Sequence, residues 1–407
     1  MLKKVFYIII AVLVLQVIKV VLIKLTYRFA NFAGILIMAA QFYLVVAPLI
    51  YFPINALFRF IKTTSLRKLY SIFLTLLFLV GLEWLMAFYL NHPRSIPGIL
   101  QEPIWLFYEK YDFRIIQYEK DHGVYDKKVF YRLNPNSSFV FSNREFSDSF
   151  HINSKGLRDD ESSLSYPSII CLGDSYFMGW GISQDSCFAS LLESRSKMKV
   201  LNAAISSYGT ARELTLLKEL NRDSLKYLII QYCVNDWIEN KYYLSHNRQL
   251  KISPEKQFNA EQLEHYLSRL YFPGRYSSMI GQLLIKFSIN KVYPVFNLPY
   301  DRNKLVSDEK EQAKDFLEIL FLNRELFGRS KLIITLMDSE KRIDNKFLKE
   351  VEKELQNPRY RELSAYTTVV HTEKVFGPED FYLLDQHARA SAYDKLSTLV
   401  IYSLNTR

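Results

Sequence analysis

The chain changes its hydrophobic pattern about a quarter of the way along. Three long apolar stretches precede residue 91: Val5 to Ile23, broken by Lys19; Asn31 to Phe58, with no charged residue; and Leu69 to Leu90, which contains Glu83. About 20 mostly apolar residues cross a bilayer as a helix, so each stretch is long enough to span. Three of them so close together exceed what one soluble core absorbs. Lys19 has to snorkel toward the interface. Glu83 reads either as a functional polar site inside the membrane or, more plainly, as a carboxyl turned into the helix bundle or toward water near Trp84.

Residues 92–166 read as a linker and a small β accessory region. Pro93, Pro97, Gly98 and Pro103 punctuate its start. Short β-like runs at Lys128–Tyr131 and Ser138–Phe141 precede Phe150-His151-Ile152 and the turn Asn153-Ser154-Lys155-Gly156, which together predict a hairpin element. From Pro167 the pattern alternates between strand and helix. Ser168–Leu172, Lys199–Leu201, Tyr227–Tyr232, Lys331–Met337 and Thr367–Val370 read as strands. Phe188–Lys197, Ala211–Leu220 and Ala392–Leu404 read as helices. Continuous apolar strands separated by helices predict an α/β fold over 167–407, with a parallel sheet covered on both faces. An insertion at about 238–330 has helical periodicity near Ala260–Tyr271 and Glu309–Leu326. Its apolar, aromatic segment Met279–Tyr300 suits either a lid or substrate groove, or plain packing against the core.

Charge locates the basic excess. The formal net charge is +10, yet residues 1–90 hold nine Lys or Arg and one acid, so only +2 remains for the rest of the chain. The excess flanks apolar segments, the mark of membrane topology rather than of a nucleic-acid-binding face. With the N-terminus inside, Lys3, Lys4, Arg59, Lys62, Arg67 and Lys68 face the cytoplasm, against Lys24, Arg28 and Arg94 outside. That bias puts everything from about His92 onward outside the cytoplasm, beyond an all-α anchor at 1–91. The first stretch is too long for a cleavable signal and lacks a small-x-small site close behind it.

The chemistry begins where the strand Ser168–Leu172 stops at Gly173-Asp174-Ser175. Open α/β sheets place active sites at the carboxyl ends of their strands, so Ser175 is a candidate nucleophile that needs a base and an oxyanion hole. Gly-Asp-Ser alone is also a good helix cap. Tyr227–Tyr232 ends at Cys233-Val234-Asn235-Asp236, where the Asn235 amide is placed to meet a developing oxyanion. Backbone N–H groups of Ser175 and of the loop after Asn202 are further candidate donors. Of seven histidines, His387 has an acid two residues before it, Asp385, in a loop ahead of the last helix. An acid so placed orients the imidazole and stabilises its charged form. Cys171, Cys187 and Cys233 have no metal-ligand spacing, and their odd number leaves at least one thiol free. An α/β-hydrolase elbow would need glycine where Phe177 stands, and Gly179-Trp180-Gly181 lacks the third glycine of a dinucleotide loop.

The order Gly173-Asp174-Ser175, the loop after Asn202, Asn235-Asp236 and Asp385/His387 resembles the SGNH (GDSL-like) hydrolase superfamily over about 170–400. Phe150 to Arg158 also resembles a segment found just upstream in bacterial members. The resemblance implies a flavodoxin-like three-layer α/β/α sandwich. It implies Ser175 as nucleophile, His387 as base and Asp385 as its orienting acid. It also implies an oxyanion hole from the N–H of Ser175, the N–H of Ser207 and Asn235, with no cofactor and no metal. Three departures stand out: Ser207 and Cys233 occupy positions where the family often has glycine, and the acid–base pair is Asp-x-His rather than Asp-x-x-His. The closer spacing resembles extracytoplasmic relatives that modify envelope polysaccharides. The expectation is a membrane-anchored serine esterase acting outside the cytoplasm on an acyl ester, with an envelope glycan or lipid as the substrate that the topology suggests. Its alternatives are an O-acyltransferase with the same residues, and an inactive binding or scaffold module that kept the fold.

Overall fold

The computed structural model describes residues 2–25, 30–292, 308–339, 346–372 and 375–405. The helices α1 Leu2–Leu25, α2 Ala30–Leu57, α3 Thr64–Asn91 and α4 Gly98–Phe107 come first. Two antiparallel hairpins follow, β1 Gly123–Asp126 with β2 Phe130–Leu133, and β3 Ser137–Ser142 with β4 Ser147–Ile152. Then come β5 Ile169–Leu172, α5 Ser175–Met178, α6 Phe188–Ser196, β6 Val200–Asn202, α7 Thr210–Leu217, β7 Tyr227–Tyr232 and α8 Asp236–Ser245. The chain continues through α9 Glu255–Ser268, α10 Arg275–Val292, α11 Glu309–Leu322, β8 Lys331–Leu336, α12 Lys346–Glu354, α13 Arg361–Ser364, β9 Thr367–Val370 and α14 Ala390–Asn405.

Two compact units form, Met1–Phe113 with Ala260–Tyr300, and Arg114–Asn259 with Asp301–Arg407. The insertion 238–330 is therefore shared between them. In the first unit, α2 packs against α1 and α3, and α10 packs against α2, α3 and α4. The described part of Met279–Tyr300 packs on these helices rather than against the core of the parallel sheet; residues 293–300 lie outside the described residues. Among the described residues two stretches, Phe32–Phe60 and Thr64–Asn91, are long and apolar enough to cross a membrane, each with a mean hydropathy of 2.1. The helix α1 carries a shorter apolar run, Ile10–Lys19.

Glu83 on α3 is buried, and its carboxylate meets the start of α10. It accepts hydrogen bonds from the backbone N–H of Tyr276 (3.1 Å) and of Ser277 (2.8 Å) and from Ser277 Oγ (2.7 Å). The first turn of a helix leaves N–H groups without intrahelical partners and carries partial positive charge, so a carboxylate is well satisfied there. The plainer reading of Glu83, a carboxyl turned into the helix bundle, matches this placement.

The second unit holds a five-stranded parallel sheet in the order β6-β5-β7-β8-β9. In chain order this is second, first, third, fourth, fifth, the doubly wound order of flavodoxin-like sheets. Register is set by pairs such as Ile169 with Val200, Ile169 with Tyr227, Tyr227 with Lys331 and Leu332 with Thr367. All four residues of β5 are fully buried, as are Leu228, Ile229 and Ile230 of β7, which is why these strands read as unbroken apolar runs rather than alternating ones. The chain leaves β5 for β6 on one side and returns to β7 on the other. The carboxyl ends of β5 and β7 therefore flank the switch point, where open sheets leave a crevice.

Candidate active site

The Ser175 side of the site is built from the end of β5. The Asp174 side chain caps the four-residue helix α5 by accepting from the Tyr176 N–H at 2.9 Å, so the expected capping role of Gly-Asp-Ser is present. The helix stops at Gly179, whose φ is +86°, and a Cβ there would lie 2.1 Å from Cys187 Sγ. Both the left-handed backbone and the closeness of Cys187 demand glycine. Gln231, fully buried in β7, accepts from the Asp174 N–H at 3.1 Å and ties the turn to the neighbouring strand. Ser175 is left 8% exposed at the head of α5.

The His387 side is a closed turn. Tyr382 N–H donates to the carbonyl of His387 (3.0 Å), Gln386 N–H donates to that of Tyr382 (3.2 Å), and Phe381 bridges Ala388 antiparallel. Gln386 takes φ +64° to make the bend. His387 Nδ1 donates to Asp385 Oδ1 at 2.5 Å, which leaves Nε2 as the acceptor for the Ser175 hydroxyl at 2.8 Å. The Asp385 side chain is fully buried and that of His387 is 13% exposed. The indole of Trp180 stacks on the imidazole with ring centroids 4.9 Å apart and planes 21° apart, and Tyr176 lies 4.8 Å away. Ring contacts of this kind help hold the plane of the imidazole.

Ser175, His387 and Asp385 are thus joined by direct hydrogen bonds. Asn235 comes to the group through Asp174, its Nδ2 donating to Asp174 Oδ2 at 3.4 Å. Ser207 adopts φ +61°, the left-handed region that favours glycine, at the position where a glycine was expected. Its hydroxyl accepts from Gln117 Nε2 at 3.4 Å. Cys233 is buried, and burial pushes its thiol well above the ordinary range, with Asp338 adding to the rise. It behaves as a small apolar residue, not as a second nucleophile. Burial likewise pushes Asp174 up to about 6, against the pull of the Tyr176 N–H and of His387. Sequence reasoning passed over Trp180, Tyr176 and Gln231. The first two stand within five residues of Ser175, where an aromatic pair beside a nucleophile is a legible signal; Gln231 sits inside an apolar strand and gives none.

A cavity of about 770 Å³ opens elsewhere in this unit, along β4 and α6, lined by Asp148, His151, Asp159, Gln184, Glu193 and others. None of Ser175, Asn235, Asp385 or His387 lines it. Among the described residues no group of three or more His, Cys, Asp or Glu side chains is arranged to hold a metal ion.

No family model matches the chain, and no curated protein matches it. Among solved structures, the crystal structure of TesA matches at 15% identity and a TM-score of 0.33, covering 58% of this chain and 97% of that one.

Proposed function

We propose that this chain is a membrane-anchored serine esterase of SGNH type. The observation that carries the reading is the continuous Ser175–His387–Asp385 relay, with 2.8 Å from hydroxyl to imidazole and 2.5 Å from imidazole to carboxylate. A scaffold that had lost catalysis has no need of that alignment, and separation within hydrogen-bond reach supports the enzyme over the inactive module. Ser175 Oγ attacks the acyl carbonyl carbon while His387 Nε2 takes its proton, and Asp385 stabilises the imidazolium. The carbonyl oxygen becomes an oxyanion held by the N–H of Ser175, the N–H of Ser207 and the Asn235 amide. The tetrahedral intermediate collapses, the ester C–O bond breaks, and His387 returns the proton to the leaving alcohol. Water, deprotonated by His387, then attacks the acyl-enzyme and releases the carboxylic acid, with the proton passing back to Ser175. The chemistry calls for no metal and no cofactor.

The anchor is residues 1–91, followed by the accessory region 92–166 and the α/β domain 167–407 as a three-layer sandwich, from which the insertion segment Ala260–Tyr300 departs to join the first unit. Three spans with the N-terminus cytoplasmic place Ser175 outside the cytoplasm. In support, α3 exposes Phe73 (60%), Val80 (66%) and Trp84 (67%), an apolar surface suited to lipid. A substrate at that address is an acyl ester of an envelope glycan or lipid. The Asp385-x-His387 spacing favours, as a second reading, transfer of the acyl group to a sugar hydroxyl in place of water. Ser175→Ala is expected to abolish both turnover of a short-chain aryl ester and labelling by a fluorophosphonate. Undiminished labelling contradicts the assignment.

A further inference from the structure

The turn of the β3–β4 hairpin reaches the histidine loop, and its contacts there have the form of a clamp. The turn is closed by the Asn143 N–H donating to the Phe146 carbonyl at 3.1 Å. From it the Glu145 carboxylate accepts three consecutive backbone N–H groups: Leu383 at 2.9 Å, Leu384 at 2.7 Å and Asp385 at 2.9 Å. The loop's own backbone bonds use the N–H groups of Tyr382 and Gln386, and the three between them converge on Glu145. Consecutive N–H groups pointing one way form an anion-binding concavity, and bonds to an ionised acceptor are the strong ones. Asn143 adds a second contact, its Nδ2 donating to Asp385 Oδ2 at 3.3 Å while Oδ1 of the same carboxylate serves His387. The hairpin also braces the floor of the site. Phe141 meets Trp180 edge-on at 4.8 Å, and Trp180 stacks on His387.

We propose that Glu145, assisted by Asn143, is a positioning residue that fixes Asp385 and His387 against Ser175, so that the accessory hairpin is a working part of the active site. The proposal rests on the serine-hydrolase reading of the site. Neither residue touches substrate. A short bond network of this kind acts on rate through alignment, because a displacement of about 1 Å at a reacting centre costs about 100-fold. Glu145→Gln keeps the shape but swaps one acceptor oxygen for an NH₂ that faces N–H donors, so the loop loses part of its anchor. Glu145→Asp keeps the charge and shortens the reach.

The test uses the full chain in detergent and measures fluorophosphonate labelling rate, kcat and KM on a short-chain aryl ester, melting temperature, and the downfield proton resonance of His387 Nδ1–H. Ser175→Ala reports on the site itself. Glu161→Gln serves as a control, because Glu161 also accepts a backbone N–H in the accessory region, but from Ser154 rather than from the histidine loop. The expected result is a silent Ser175→Ala and a Glu145→Gln labelled about 100-fold more slowly. Glu145→Gln should also show lowered kcat, unchanged KM, a shifted or lost Nδ1–H resonance, and a melting temperature matching that of Glu161→Gln. Glu145→Asp is expected to recover part of the rate. If Ser175→Ala is silent but Glu145→Gln labels at the wild-type rate, the positioning role is overturned and the serine-hydrolase reading stands. If Ser175→Ala labels normally, that reading falls and the positioning role with it. Should Glu145→Gln fail to fold, Asn143→Ala decides, since it leaves the Glu145 bonds intact. Slowed labelling with an unmoved melting temperature supports the clamp, and wild-type labelling overturns it.

Discussion

The turn that carries Ser175 is shaped mostly by its neighbours in the sequence, with Gln231 tying it to β7, whereas the loop that carries His387 leans on residues from far along the chain. On the nucleophile side, Asp174 caps α5, Gly179 ends it, and the apolar strand β5 fixes its direction, all within eleven residues. On the base side, a turn with only two backbone bonds of its own leans on Glu145, Asn143 and Trp180, more than two hundred residues away in sequence. The surroundings differ in charge as well. The nucleophile turn lies among buried acids whose pKa values are raised, Asp174, Glu213 and Asp236. The acid of the base side is paired with its imidazole and hydrogen-bonded at both oxygens. One half of such a site is rigid by local construction. The other is rigid only while the tertiary contacts hold.

The largest break in this comparison comes at the base side. Asp385→Asn keeps the size of the side chain but offers an amide to Nδ1 and favours the wrong tautomer. The expected loss in kcat is about 10⁴-fold with the fold intact, read from steady-state kinetics. A loss under about tenfold would mean that Asp385 does not orient the imidazole. On the nucleophile side, Asn235→Ala removes one proposed oxyanion donor. It is expected to cost about 10²–10³-fold in kcat, with KM little changed. Because Asn235 also bonds to Asp174, an unchanged kcat would assign it to support of the turn alone.

The buried acids sharpen the contrast through pH. Burial, then Asp174 and Glu239, push Glu213 well above the ordinary carboxylate range, and among the described residues neither of its oxygens has a hydrogen-bond partner. The folded chain therefore keeps the Glu213 proton at pH values where the unfolded chain has released it. Its contribution to stability is fully present below the ordinary carboxylate pKa and is lost as the pH rises toward the folded value. Glu213→Gln removes this dependence. The melting temperature of the wild type is expected to fall more between about pH 5 and about pH 8 than that of Glu213→Gln, and parallel curves would contradict the account. The smallest effect is expected at Ser207, where glycine relieves a left-handed backbone but gains freedom in the unfolded chain. Ser207→Gly should sit within about 1 kcal/mol of the wild type, on the stabilising side, by denaturant unfolding.

The same contrast explains what the sequence made legible. Tyr227–Tyr232 is the strand that its apolar run predicted, because a parallel strand buried along nearly its whole length leaves an unbroken signal, and Thr367–Val370, half-buried at its centre, was legible from its β-branched residues. The turn Gly173-Asp174-Ser175 was readable because the strand, the cap and the serine are contiguous. Asp385 and His387 were readable as a pair, since they lie two residues apart. Glu145 and Asn143 were not, because their partners are backbone N–H groups across the fold and a hairpin turn with Asn and Glu has no periodicity to betray them. The helix α10 was legible as apolar but not in its partners. Its docking on α2 and α3 depends on Glu83 receiving its first turn, a match between two stretches that each look ordinary alone.

The proposed chemistry depends above all on Ser175 being a nucleophile activated by His387. The most direct measurement is peptide mapping of the fluorophosphonate adduct on the full chain, in the wild type and in His387→Ala. A single adduct on Ser175 is expected, formed at least about 10³-fold more slowly when His387 is replaced. An adduct on another residue, or one on Ser175 that forms as fast without His387, would contradict it.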